Sequence, residues 1–194
     1  EPCKNVAKIT QKLGYKTYTD FWDIKLARKI KAMNKKEIDL IYSANTLSHI
    51  SNLNSVFKSI CHVMADKGIL VIEDPSLLEC LKNVSYDQFY NEHIYVLSAI
   101  ALKNILKKIG LRIVKLENIE IHGGSLSYFI THDKNSKFKT SKSLLKQIKT
   151  EMRVGLHKYK TYKKFAKKVF HLKKKLVRIF KEIKSKKGKI VGYG

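Results

Sequence analysis

The sequence is poor in cysteine and in acidic residues, and it has no long apolar run. Its three cysteines, Cys3, Cys61 and Cys80, stand far apart and form no CxxC pair, which excludes a disulfide framework. This usage is typical of the reducing cytosol and predicts a cytoplasmic protein with buried, inert thiols. No apolar run approaches the ~20 residues of a membrane span. The first residues do not read as a secretory signal peptide either.

The scarcity of acidic residues is concentrated in one segment. The chain has 40 Lys and Arg against 16 Asp and Glu, a net charge of +24. Between residues 134 and 189 there are 22 Lys and Arg, with Glu151 and Glu182 as the only acids, so this segment carries +20 of that charge. The rest of the chain is nearly balanced in charge, and the overall hydrophobic content of 44% suits one domain with a core.

The first half of the chain alternates between helical and strand patterns. Helical spacing appears over 4–13 and 21–33, and residues 38–42 have the pattern of a buried strand. The continuous apolar run at 69–72 is typical of a strand that is covered on both faces. Asn52 is a suitable cap for a helix between these strands, and Asp66-Lys67-Gly68 predicts a turn before the second strand. The alternation predicts an α/β fold with helices on both faces of a parallel sheet. Ligands in such sheets bind at the carboxyl ends of the strands.

The second half predicts a hairpin followed by long helices. Ser98 caps a helix, and strands at 111–116 and 125–131 are joined by a turn that contains paired glycines. From residue 141 to 187, apolar residues recur every three or four positions beside a Lys-rich face, which predicts one or two helices with a break at Gly155. We expect the aromatic residues of this segment to pack in its apolar seam: Tyr159, Tyr162, Phe165 and Phe170.

Three short motifs carry the residues that suggest chemistry. In chain order they are Ser43-Ala44-Asn45-Thr46-Leu47-Ser48-His49-Ile50, Tyr90-Asn91-Glu92-His93 and His122-Gly123-Gly124-Ser125-Leu126. Each has a structural explanation when it is taken alone. A histidine in an aromatic segment is often a packed residue, a glutamate often pairs with a lysine, and paired glycines often form a turn with positive φ.

Taken together and in order, these motifs resemble the nucleotide-sugar C-methyltransferases, a family of class I S-adenosyl-L-methionine (SAM)-dependent methyltransferases. The resemblance implies a partial, Rossmann-like methyltransferase domain at 1–133, a Lys-rich helical connector at 134–188, and the first strand of a C-terminal domain at 189–194. It also implies that the family's zinc-binding N-terminal part and Gly-rich SAM loop lie outside these residues. We therefore expect the isolated chain to bind SAM poorly and to be inactive.

The resemblance also implies a reaction and roles for the motif residues. The substrate would be a ketone-bearing deoxysugar on a nucleotide diphosphate, methylated at the carbon next to the ketone through an enolate. His93 would be the base, with a neutral form available near pH 7. Glu92 would orient its imidazole, and Tyr90 and His49 would donate hydrogen bonds to the ketone oxygen.

Further residues of the same resemblance concern the two ligands. Glu1 would accept hydrogen bonds from the ribose hydroxyls of SAM, and Asn45 would border the cofactor. The turn at His122, Gly123, Gly124 and Ser125 would approach the substrate. No metal ligand is assigned within these residues. The chain departs from the family's usual pattern at Asn91, where His is common, and at Ser127, where a basic residue is common.

Other interpretations of the basic segment remain open. Its Lys runs could neutralise phosphates, and its aromatic residues could stack on bases, which would make it a nucleic-acid-binding module. Its positive potential could instead attract a nucleotide-diphosphate sugar. The chain could also be a non-catalytic methyltransferase fragment. The sequence does not distinguish the sugar, the methylated carbon, the nucleotide or the oligomeric state.

Overall fold

The computed structural model, which describes residues 1–34 and 37–192, has a four-stranded mixed sheet at its centre. Strands β1 (Ile38–Ala44) and β2 (Met64–Pro75) are parallel. Strands β3 (Leu111–Ile119) and β4 (Ser125–His132) form an antiparallel hairpin, and β4 lies between β2 and β3. The predicted fold class, parallel strands followed by an antiparallel hairpin, is confirmed.

Four of the five helices before the hairpin match predicted helices, and the fifth, at residues 77–83, lies in a stretch where the sequence predicts no regular element. The five helices are α1 (Lys4–Lys12), α2 (Ile24–Met33), α3 (Leu53–Val63), α4 (Leu77–Asn83) and α5 (Ala99–Lys107). Asn52 caps α3, since its side chain accepts the Ser55 N–H at 3.0 Å, and Ser98 caps α5 in the same way. The capping residue of α2 is Asp23, which accepts the Leu26 N–H at 2.8 Å.

Strand β2 begins earlier than its apolar run indicates. The sequence predicts a turn at 66–68, but the strand continues through these residues. Its pairing with β1 is irregular there. Ile38 pairs with Met64 and Leu40 pairs with Ile69, so β2 advances five residues while β1 advances two. Gly68 permits this crowding, because a Cβ there would lie 2.7 Å from Cγ of Met64.

The main core lies between one face of the sheet and helices α3 and α5. Alternate residues of β2 and β4 point to this face, and paired positions carry buried Leu, Ile and Tyr side chains. Phe57 of α3 and Leu102 of α5 are fully buried against them. This packing holds the carboxyl end of β2 and the first turn of α5 in fixed positions, and both bear on the candidate site.

Helix α6 (Lys142–Val154) is attached to this core by a buried carboxylate. Glu151 is fully buried, and its Oε1 and Oε2 accept the N–H groups of Ala99 and Ile100, each at 2.9 Å. Gln147 donates a further hydrogen bond to Oε1 at 3.0 Å. A negative charge at the first turn of α5 is favoured by the helix dipole and satisfies two amides that the helix itself leaves free.

Helix α7 (Tyr159–Ser185) is much more exposed than the sequence pattern predicts. The break at Gly155 is confirmed, because Gly155 adopts φ +81° and ends α6. Tyr162 and Phe165 pack against a small second cluster formed with α4. The predicted packing of Tyr159 and Phe170 is wrong, since their side chains are 73% and 57% exposed. Among the described residues, the neighbours of α7 lie beside its first turns.

The end of the chain forms no strand in its described part. Residues 189–192 lack regular structure, because a strand needs a partner and none of the four described strands pairs with them. Tyr193 and Gly194 lie outside the described residues. The predicted domain boundaries at 133 and 188 stay predictions. Within 1–34 and 37–192, no helix is both long and apolar enough to cross a membrane.

We predict that Glu151→Ala lowers the free energy of unfolding by roughly 2–4 kcal/mol, because it leaves two buried N–H groups of α5 without acceptors. Urea denaturation followed by circular dichroism measures this change. Glu182→Ala is the matched control, since Glu182 is exposed in the same basic segment and contacts Arg178 at 3.6 Å. Its effect should stay within about 0.5 kcal/mol. Equal effects of the two substitutions would contradict the role of Glu151.

Candidate functional site

Two predicted site residues meet beside the carboxyl ends of β1 and β2. His49 lies in a short helical turn after β1, and His93 lies in the irregular segment between α4 and α5. Their ring centroids are 4.9 Å apart in an edge-to-face arrangement. The sequence separates these residues by more than forty positions, so the fold alone brings them together. The structure brings His49, Tyr90 and His93 together, and their catalytic roles stay predictions.

The imidazole of His93 is held at both ring nitrogens. Nδ1 lies 2.8 Å from the carbonyl oxygen of Gln88, and Nε2 lies 2.9 Å from Oη of Tyr90. A carbonyl oxygen only accepts hydrogen bonds, so Nδ1 carries the proton in this interaction. In the neutral ring, Nε2 is then the unprotonated atom and accepts the hydrogen bond of Tyr90. Gln88 is a site residue that the sequence does not reveal, because it acts through its backbone.

Glu92 does not take part in this arrangement. Its side chain is exposed and forms no hydrogen bond or ion pair with any residue that the structure describes. Glu92 was expected to orient the imidazole of His93, but in the structure the Gln88 carbonyl contacts that ring. The physical reason is the turn at residues 90–93, in which the His93 N–H donates to the Tyr90 carbonyl at 2.9 Å. This turn folds the imidazole back over Tyr90.

The backbone of Ser48 ties the two histidine segments together. Its carbonyl accepts the N–H groups of Ile94 and Tyr95 at 2.8 and 3.3 Å. Its own N–H donates to Oδ1 of Asp74 at 3.4 Å. The backbone of one buried residue therefore connects the His49 turn, the His93 segment and the carboxyl end of β2. Asp74 is a positioning residue that sequence reasoning missed, although an acid inside a buried strand end is a recognisable signal.

Asp74 is buried to an unusual degree for an acid. Its relative exposure is 1%, and Oδ2 has no hydrogen-bond partner among the described residues. Burial raises the pKa of the Asp74 carboxyl, and the hydrogen bond from Ser48 opposes that rise only in part. Oη of Tyr128 is also buried without a partner in the described part of the chain, and burial raises the pKa of this phenol well above its ordinary value.

We predict that Asp74→Asn raises the free energy of unfolding, relative to the wild type, by more at pH 7.5 than at pH 4. A raised folded-state pKa means that the protonated carboxyl contributes stability at low pH, which is lost as the pH rises through that pKa. Asparagine keeps an acceptor for Ser48 and removes the buried charge. Urea denaturation at both pH values measures the difference between variant and wild type. The same difference at both pH values would show that the ionisation of Asp74 does not affect stability.

His49 also borders a cavity of about 1280 Å³. Glu1 and His49 both line it, together with aromatic side chains that include Trp22 and Tyr42. One oxygen of Glu1 accepts the Cys3 N–H at 2.9 Å, and this hydrogen bond lowers the pKa of Glu1. The other oxygen has no partner among the described residues. A carboxylate with a free oxygen, aromatic walls and this volume fit an adenosyl group.

Asn45 directly follows β1, and it is not among the residues that line this cavity. It adopts φ +49°, and its N–H donates to the Glu73 carbonyl at 2.8 Å. Asparagine tolerates this left-handed conformation better than most residues. The next residue, Thr46, lines the cavity. The predicted role of Asn45 at the border of the cofactor stays a prediction.

The glycine turn between β3 and β4 packs against α4. His122 adopts φ +50°, and a Cβ on Gly124 would lie 2.9 Å from Cβ of Glu79. Asn83 donates a hydrogen bond to the Gly123 carbonyl at 3.3 Å. The hydroxyl of Ser125 is buried and donates to the Ile121 carbonyl, so it shapes the turn. In the described residues, no hydrogen bond joins this turn to His49 or His93.

Comparison with known proteins identifies the family. A methyltransferase domain family matches residues 4–116, which is more than half of the chain. The chain belongs to this methyltransferase family. A second family, the C-methyltransferase C-terminal domain, matches residues 120–194. The resemblance to SAM-dependent C-methyltransferases is thereby confirmed, and SAM is the cofactor of this family. Within the part of the chain that the structure describes, no cluster of metal-ligating side chains is present.

Individual relatives are more distant. The C-methyltransferase NovU of Streptomyces niveus is 23% identical over all 194 residues, and the chain spans 46% of its length. A putative methyltransferase in complex with a methyltransferase activator from Haloferax volcanii is 8% identical, with a TM-score of 0.41 over 50% of this chain and 55% of that one. Magnesium protoporphyrin IX methyltransferase from Synechocystis PCC 6803, with bound SAH, is 14% identical, with a TM-score of 0.38 over 52% and 48%.

Proposed function

We propose that this methyltransferase chain carries the acceptor side of a carbon methylation, with a nucleotide-diphosphate ketodeoxysugar as substrate. The hydrogen bonding of His93 is the observation that carries the proposal. Its Nδ1 proton is directed to the Gln88 carbonyl, so Nε2 keeps its lone pair and is the basic atom. The substrate class is what the resemblance of the three motifs to nucleotide-sugar C-methyltransferases implies, and the match to a C-methyltransferase domain supports carbon as the acceptor.

The arrangement suits removal of a proton from a carbon next to a ketone. Nε2 of His93 takes the proton, and the electron pair of the broken C–H bond passes to the ketone oxygen to give an enolate. His49, and Tyr90 once its hydroxyl turns from Nε2, donate hydrogen bonds to that oxygen as its charge develops. Tyr90 is 48% exposed, so its side chain has room for this rotation. The imidazolium keeps its hydrogen bond to Gln88 throughout.

The cavity lined by Glu1 and His49 would hold the cofactor. The free oxygen of Glu1 would accept a ribose hydroxyl, the aromatic walls would pack on the adenine, and Asn45 would border the sulfonium end. When bound, SAM supplies an electrophilic methyl group to which the enolate carbon would bond. Because His49 lines this cavity and its ring packs on His93, the deprotonated carbon would form at the boundary between the two ligands.

Deuterium exchange tests the base without the cofactor. The complete gene product is incubated in D₂O with a dTDP-linked ketodeoxysugar and without SAM, and incorporation of deuterium next to the ketone is followed by NMR. We expect exchange by the wild type and a loss of about 10²–10⁴-fold in His93→Ala. Tyr90→Phe should retain part of the rate, because Nε2 remains in place.

The matched control is His157→Ala, which removes an exposed histidine outside the site. It should exchange at the wild-type rate. Exchange that is unchanged in His93→Ala would show that His93 is not the base. Exchange that is absent from the wild-type complete gene product would contradict the proposed reaction as a whole.

A further inference from the structure

A cavity of about 730 Å³ lies where α6 turns into α7, facing α4. It is separate from the cavity that contains Glu1 and His49. The corner is held by Thr161, whose hydroxyl lies 2.7 and 3.2 Å from the carbonyl oxygens of Gly155 and Val154. Glu151 fixes α6 on the domain just before this corner. The cavity is therefore part of the folded domain rather than of the exposed end of α7.

Positive charge dominates the lining of this cavity. Six cationic side chains line it: Lys82, Arg153, Lys158, Lys160, Lys164 and Lys168. Of the described residues, Glu79 is the single acid in the lining, and it pairs with Lys82 at 3.1 Å. Across residues 1–34 and 37–192, none of the other five cations forms an ion pair or a side-chain hydrogen bond with the protein. Five unneutralised charges around one concave surface repel each other and favour a bound anion.

The floor of the same cavity is apolar. It is formed by Leu78 and Leu81 of α4 and by the half-buried ring of Phe165. A surface that combines apolar area with several cations matches a ligand with a ring and a multiply charged group. Phosphate groups suit lysine and arginine, because phosphate oxygens accept charge-assisted hydrogen bonds from these side chains. A row of lysines that is only solvated by water would not require this apolar surface beside it.

The cavity adjoins the candidate site. The rings of Phe165 and Phe89 pack with 5.7 Å between their centroids, and Phe89 precedes Tyr90 in the His93 segment. On the other wall, Glu79 packs closely against the glycine turn at Gly124. A ligand held at the α6–α7 corner would therefore extend toward the two segments on which the acceptor chemistry rests.

We infer that this cavity binds the diphosphate of a nucleotide-linked substrate, with the phosphates on the cations of the α6–α7 corner and an apolar part of the nucleotide on the floor. The inference rests on the proposed function for its orientation toward His93, but the binding itself does not require methyl transfer. It assigns a specific role to the first turns of α7, and none to the lysines of its exposed end.

Calorimetric titration of the 194-residue chain with UDP, inorganic pyrophosphate and uridine tests the inference. UDP and pyrophosphate should bind, and uridine should not. The charge reversals Lys164→Glu and Lys168→Glu, made together, should weaken UDP binding by about tenfold or more for each phosphate hydrogen bond that they remove. Both side chains are exposed, so the variant should keep its fold, as circular dichroism would check.

The matched control reverses Lys175 and Lys184 to Glu on the same helix. Lys175 lies seven residues from Lys168, about 10 Å along the axis, and Lys184 lies farther, so screening at physiological salt should remove most of their influence. UDP affinity should be unchanged in the control. Equal loss in both variants, or tighter binding of a single-stranded oligonucleotide that both variants weaken alike, would overturn the inference in favour of a general polyanion surface.

A second measurement does not depend on substitutions. UDP should protect Lys164 and Lys168 from acetylation by acetic anhydride, as measured by mass spectrometry, and should leave Lys175 and Lys184 reactive. Absence of UDP binding and of protection would overturn the inference even if deuterium exchange at His93 is observed. Conversely, UDP binding without exchange by the complete gene product would retain this site and refute the proposed reaction.

Discussion

The carboxylate of Glu151 at the first turn of α5 is the group on which the rest of this arrangement depends. It is one of two acids in a segment with 22 basic residues, and it is the one that is buried. Its two oxygens satisfy the amides of Ala99 and Ile100, so a highly charged helix can dock on an apolar core. The docking of α6 in turn fixes the corner with α7 and the basic cavity beside it.

The candidate site depends on backbone geometry more than on side-chain pairing. The backbone of Ser48 connects the turn of His49 to the segment of His93, and the Gln88 carbonyl sets the tautomer of His93. Asp74 secures this connection from a buried position whose cost is reflected in its raised pKa. Buried groups of this kind, held in unfavourable states by the surrounding fold, are found preferentially at functional sites.

Much of this could be predicted from the sequence, and the failures have identifiable causes. Helix caps at Asn52 and Ser98 and the break at Gly155 follow from local chemistry, so they were predictable. The turn expected at 66–68 was wrong because pairing with β1 extends β2 past its apolar run. Helical spacing identified the apolar stripe of α7, but it does not show whether a neighbouring element exists to cover it. The roles of Gln88 and Asp74 arise from tertiary structure.

We propose above all that this methyltransferase chain directs methylation to carbon. The most direct measurement incubates the complete gene product with SAM labelled by ¹³C in its methyl group and a dTDP-linked ketodeoxysugar, and identifies the atom that carries the label by NMR. We predict a methyl group bonded to the carbon next to the ketone. A label on oxygen or nitrogen, with that carbon still bearing its proton, would contradict it.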